Sequence, residues 1–210
     1  MNRRFVKRDY LLVAAFLLTT TALVYSQETS RGEPTDEEYR VYDAVLADKF
    51  TGGGTDFGSL SDGRRLVILK ELIVGEKLTH QNYMWERLSP SDEASSNFNS
   101  VRTQVGKLGR KFRTSSDYVL LPQETLDSFF RKPDGLQEME YDSWKKFYEA
   151  FPESKGYIAF SRAGFDKEKT NAVVYLQHSC GSACASGYFI TLRKVAGSWS
   201  VERTVMIWVS

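Results

Sequence analysis

The chain has 210 residues, with 28 Lys and Arg against 27 Asp and Glu and a net charge of +1 at pH 7. That balance lacks the basic excess of nucleic-acid binders, and the length fits one domain, or one domain with a helical extension. With two histidines and two cysteines, histidine-dependent or metal chemistry has few places to be built.

Residues 1–26 read as a secretory signal peptide. Arg3, Arg4, Lys7 and Arg8 make a basic start, Leu11–Val24 is apolar, and Val24-Tyr25-Ser26 offers permissive side chains before Gln27. The apolar run falls short of the roughly 20 residues of a spanning helix. No stable membrane span is therefore expected after processing, and an uncleaved N-terminal anchor is the alternative. Cleavage removes a net +3 from a chain of net +1, leaving −2. The protein is expected to be exported, to the periplasm or beyond.

Gln27–Thr35 is a polar leader, and residues 36–210 are expected to form one α+β domain. Its first part, 36–140, reads as mainly helical with one strand. Thr35 or Asp36 caps a helix running to about Phe50, with Tyr39, Tyr42, Leu46 and Phe50 as its apolar stripe. Gly52-Gly53-Gly54 lacks the Lys-Ser or Lys-Thr of a phosphate loop and reads as a flexible loop. No cofactor is expected. Leu66–Val74 is β-branched and apolar, a strand central to the sheet. Phe98, Val101, Val105, Leu108 and Phe112 recur at helical intervals. Lys107, Arg110, Lys111 and Arg113 then read as the cationic end of that helix, with binding of an anionic partner as the second reading. Tyr118–Leu121 is a candidate for a further short strand besides Leu66–Val74, and Pro122 opens a helix over Gln123–Phe130.

The second part, 141–210, reads as a helix followed by an antiparallel meander packed on it. Trp144, Phe147, Tyr148 and Phe151 form an aromatic stripe that Pro152 ends. Strands follow over Tyr157–Arg162, Asn171–Ser179, Gly187–Val195 and Ser198–Val209, the last two joined at Ala196-Gly197. Alternation along the last strand puts Trp199, Val201 and Ile207 on the inner face, against the aromatic stripe.

His178, Cys180 and Cys184 are spaced H-x-C-x-x-x-C. In an exported chain the two cysteines are expected to pair. The closed loop is small, so its entropic contribution is only about 2 kcal/mol. A metal site lacks a fourth ligand nearby, and none is expected. A redox dithiol is the third reading, but the spacing is not C-x-x-C. Carboxylate pairs such as Glu138/Glu140 do not by spacing alone define a site.

The tail W-x-x-F-x-x-x-F-P-x-S-x-G-Y-I-x-F-S-R-x-G-F-D, then A-V-V-Y, C-G-x-x-C, G-Y-F-x-x-L and G-x-W-x-V with W-V-S, covers Trp144–Ser210. It resembles a group of uncharacterised exported bacterial proteins. Val41–Leu46 and Leu66–Val74 resemble an upstream part of the same pattern. The order of elements is also similar to cystatin-like and NTF2-like folds, in which a curved sheet wraps a helix. Neither resemblance implies an activity.

The expected role is noncatalytic: an exported domain that binds a small ligand or another envelope protein. Strand alternation keeps the tail aromatics from all facing one core, so some are expected on the outer face, where Tyr175, Phe189 and Trp208, with His178, are the candidate binding residues; the alternative is that helices of the first half cover that face. A hydrolase with a carboxylate or His178 over the sheet is the first alternative, and a structural envelope protein the second.

Overall fold

The computed structural model describes residues 32–51, 65–79, 83–135 and 142–210. The signal segment, most of the leader, the triple glycine, His80 and Glu138/Glu140 lie outside the described residues. From Pro34 to Ser210 the chain forms one compact unit.

The fold is α+β. Among the described residues are five α-helices and a mixed sheet of seven strands. Helix α1, Asp36–Leu46, begins at a capping box: the Thr35 hydroxyl accepts from the Glu38 N–H, and the Glu38 carboxylate accepts from the Thr35 N–H. A π-helical turn, Ala47–Thr51, extends it and buries Phe50. Strand β1 is Leu66–Leu69, α2 Tyr83–Leu88, α3 Asp92–Val101, β2 Tyr118–Leu121, α4 Gln123–Phe130 and α5 Ser143–Ala150. The remaining strands are β3 Tyr157–Phe160, β4 Gly164–Phe165, β5 Asn171–Gly181, β6 Cys184–Val195 and β7 Ser198–Val209.

The sheet order is β2-β1-β3-β5-β6-β7, with β4 beside β5. Strands β3, β5, β6 and β7 form the expected antiparallel meander. Strand β1 pairs parallel with both β2 and β3, which extends the meander into a mixed sheet. The expected strand Leu66–Val74 is cut to four residues. Beyond Leu69 the chain bends away: the Leu72 N–H donates to the Gly106 carbonyl, the Ile73 N–H to that of Phe160.

Each face of the sheet is covered. Ile68, Ile158, Phe160, Val174, Leu176 and Ile190 point to the face under α1, where Tyr42 stacks on Phe160 with ring centroids 4.7 Å apart. The opposite face has two cores. Val67, Leu69, Leu121 and Ala159 pack with Leu126 of α4 and Phe147 of α5. Val173, Tyr175, Phe189 and Val205 pack with Leu88 of α2 and with Ala94 and Phe98 of α3.

Two expectations about side-chain direction need correction. The aromatic stripe of α5 does lie on the sheet, but on the β1–β3 half rather than against β7. The alternation of β7 is interrupted as well. Val201 pairs with Leu192, but Arg203, not Glu202, pairs with Thr191. The extra residue is a bulge, and a bulge exchanges the faces beyond it. Trp199 and Val201 therefore face α1, whereas Val205 and half-buried Ile207 pack into the core under α3.

The helix expected to continue through Phe112 stops at Val101. Residues 102–117 are irregular, with one bridge between Lys107 and Glu71. Leu108 and Phe112 are buried under this segment, and Val105 is exposed. Gly106 and Gly109 favour the irregular backbone, and the i, i+4 spacing of Leu108 and Phe112 arises without a helix. The turn Ala196-Gly197 is as expected. Both residues have positive φ, 50° and 83°, the geometry of a tight two-residue hairpin turn.

Candidate functional site

His178 lies on β5, opposite Ile158 of β3 and Ser186 of β6. It is buried on the α1 face, 5.9 Å from the Phe50 ring. Its Nε2 is 2.7 Å from the Lys155 carbonyl oxygen. A carbonyl only accepts, so Nε2 carries the proton and Nδ1 presents a lone pair. Burial pushes the imidazole below its ordinary 6.5, against the opposing pull of the Lys155 hydrogen bond. The cavity beside it holds about 10 Å³, room for one water. Among the described residues, Arg65, Lys155, Phe50 and aliphatic residues line it, and no carboxylate does.

Cys180 and Cys184 are joined in a disulfide, with Cα atoms 5.0 Å apart. Gly181 pairs with Cys184 at the tip of the β5–β6 hairpin, and the register shifts between Ser179 and Gly181. Cys184 is exposed and Cys180 half-buried. The Cys180 sulfur is 3.9 Å from Nδ1 of His178, and the Tyr148 hydroxyl donates to the Cys180 carbonyl at 2.9 Å.

Tyr175 and Phe189 point to the face opposite α1, as alternation requires, but that face is covered. Phe98 of α3 meets Phe189 edge-on at 5.7 Å, and Tyr175 meets it at 5.9 Å. Both residues are buried, so neither offers the exposed surface expected of it. Trp208 is half-buried, its Nε1–H donating to the Tyr175 hydroxyl at 2.9 Å. The structure brings these three together as a core and its rim, on the other side of the sheet from His178.

An open recess on the α1 side lies elsewhere. Asp36, Tyr39, Arg40 and Asp43 of α1 face Lys111 and Arg113 of the irregular segment across about 260 Å³. Buried Leu108 and Phe112 anchor that segment, which turns the cations between them outward. The Tyr39 hydroxyl accepts from the Gly109 N–H, and the Asp43 carboxylate accepts from the Arg113 N–H at 2.8 Å. Burial raises the Asp43 carboxyl above the ordinary 3.8, and Arg113 pulls it back in part. Lys111 Nζ is 3.8 Å from Asp36 and 5.6 Å from the centre of the Tyr39 ring. Arg40 pairs with Glu37 at 3.0 Å. The Arg113 guanidinium, by contrast, makes no ion pair with the described residues. The basic cluster was visible in the sequence. Its acidic counterparts on α1 were not, because some seventy residues separate Asp43 from Arg113.

Among the described residues, no group of three or more His, Cys, Asp or Glu side chains is placed to hold a metal ion. No described helix is long and apolar enough to cross a membrane. Comparison with protein-family models, curated proteins and solved structures finds no match to this chain.

Proposed function

We propose that the chain is exported and that its folded part is a noncatalytic binding domain, taking a small anionic ligand in the recess between α1 and residues 107–113. The observation that carries this reading is the recess itself. It is open, it presents Arg40, Lys111 and Arg113 together, and the Arg113 fork is available for a bidentate contact with a carboxylate or phosphate. Asp36 and Asp43 on its other wall would select against ligands without a matching cationic or hydrogen-bonding group. Export draws support from the basic and apolar N-terminal residues and from the disulfide, a bond that persists in oxidising compartments.

The test is a calorimetric and thermal-shift screen of Gln27–Ser210 against small carboxylates, phosphates and amino acids. A ligand is expected to raise the melting temperature, and Arg113→Ala is expected to abolish that rise. Lys145→Ala, on α5, is expected to leave it intact. If no compound shifts the melt at millimolar concentration, small-anion binding is rejected. Turnover of an ester or phosphodiester that Asp43→Asn abolishes would replace binding with hydrolysis. Export is tested by fractionating the native host: an intact Met1–Ser26 on a cytoplasmic protein rejects it.

A further inference from the structure

The cysteine pair has features that holding the hairpin together does not require. The loop it closes is so short that the chain-entropy contribution is small. Strands β5 and β6 are already paired from Asn171/Arg193 to Ser179/Ala185. The two sulfurs also differ in surroundings. Cys184 is exposed at the hairpin tip, while Cys180 is half-buried. Only Cys180 has an imidazole nitrogen beside its sulfur, at 3.9 Å.

We propose that Cys180–Cys184 is a thiol–disulfide exchange site whose co-substrate is a dithiol reductant, entered at Cys184 and with Cys180 as the leaving group. Exchange requires a sulfur that the attacking thiolate can reach, and the other sulfur of the bond then departs. Cys184, on an exposed residue, is the sulfur to be entered. Cys180 is then the leaving group, and His178, fixed beside it in one tautomer, stabilises the thiol that results rather than the departing thiolate. The Lys155 carbonyl holds the proton on Nε2, so the Nδ1 lone pair accepts a hydrogen bond from the Cys180 thiol once it forms.

The steps balance. A thiolate of the reductant bonds to Cys184 Sγ, the S–S bond breaks, and Cys180 Sγ departs with the electron pair. Cys180 takes up the proton that the attacking thiol had lost to water. The second thiol of the reductant then attacks its own sulfur in the mixed disulfide, and Cys184 leaves and is protonated in turn. The protein gains two electrons and two protons, and the dithiol becomes a disulfide.

The test uses the oxidised protein. It is exposed briefly to glutathione, a monothiol that stalls at the mixed disulfide. The reaction is quenched with acid and the adduct is located by tandem mass spectrometry. Glutathione is expected on Cys184. An adduct on Cys180, or one shared equally, overturns the proposal, as does a disulfide that glutathione leaves intact in the native protein but opens in urea. A second measurement equilibrates wild type and His178→Phe with dithiothreitol buffers and counts free thiols. The variant is expected to be about tenfold harder to reduce, which for this two-electron couple is about 30 mV. An unchanged equilibrium in a folded variant overturns the role of His178. If the variant does not fold, the glutathione mapping on the wild type decides alone.

Discussion

Glu38 is among the most demanding residues in the chain. It is buried, and besides closing the capping box it accepts from Arg162 Nη1 at 3.0 Å and from the Ala163 N–H at 3.4 Å. One carboxylate thus ties the start of α1 to the chain that runs from β3 to β4. Removing one partner of a buried pair leaves the other charge uncompensated. Glu38→Ala is expected to cost about 3–5 kcal/mol in a urea melt, and Glu38→Met with Arg162→Met to cost less than Glu38→Ala alone. A double variant as unstable as the sum of the two singles would show that the two residues act independently. His178 makes a second prediction. Its folded pKa lies below the unfolded 6.5, so the unfolded chain takes up the proton first as pH falls. The associated stability is whole above pH 6.5 and is lost as pH falls from there through the lower folded value. His178→Gln is expected to flatten the fall in stability just below pH 6.5. Parallel curves for the two proteins would remove the imidazole from that account.

At the scale of elements, α3 lies directly against the backbone of β4. A Cβ on Gly164 would come within 2.2 Å of the Phe98 nitrogen, and the neighbouring Phe165 N–H donates to Asn97 of the same helix at 2.9 Å. Main chain cannot yield as a side chain can, so Gly164→Ala is expected to cost about 1–3 kcal/mol or more. A melt within a few tenths of wild type would show that α3 can slide. The elements also show what could be read from sequence. Helix α1 was legible because Thr35 and Glu38 are local signals, and the Ala196-Gly197 turn for the same reason. Leu108 and Phe112 misled because an irregular segment pinned by two buried side chains can have the spacing of a helix. The bulge at Glu202 had no signal at all: neither glycine nor proline marks it, and only pairing with Thr191 and Leu192 makes it visible. The burial of Tyr175 and Phe189 depended on where α3 docks, which alternation within a strand does not specify. At the recess, the cations could be read and their acidic partners could not, since nothing near Arg113 in the chain points to α1.

On the scale of the whole molecule, α1 is tied to the β6–β7 edge of the sheet. Glu37 accepts from Lys194 and from Trp199 Nε1, at 2.5 and 2.7 Å. Burial alone would raise the Glu37 carboxyl, but those hydrogen bonds and the Lys194 and Arg40 charges together hold it below its ordinary value. The α1 face also takes in Tyr118 and Leu120 of β2, at the opposite edge. The bulge at Glu202 has a further consequence. A regular β7 would have served one layer. The bulged strand places Trp199 and Val201 in one core and Val205 in the other, so neither side of the sheet can loosen while β7 keeps its register. The molecule should therefore melt as a single cooperative unit, with the calorimetric and van't Hoff enthalpies equal. Fluorescence of Trp199, under α1, and of Trp208, at the rim of the core under α3, should report the same midpoint when each is kept as the single tryptophan. Two separated midpoints would mean that the shared strand does not couple the layers it joins.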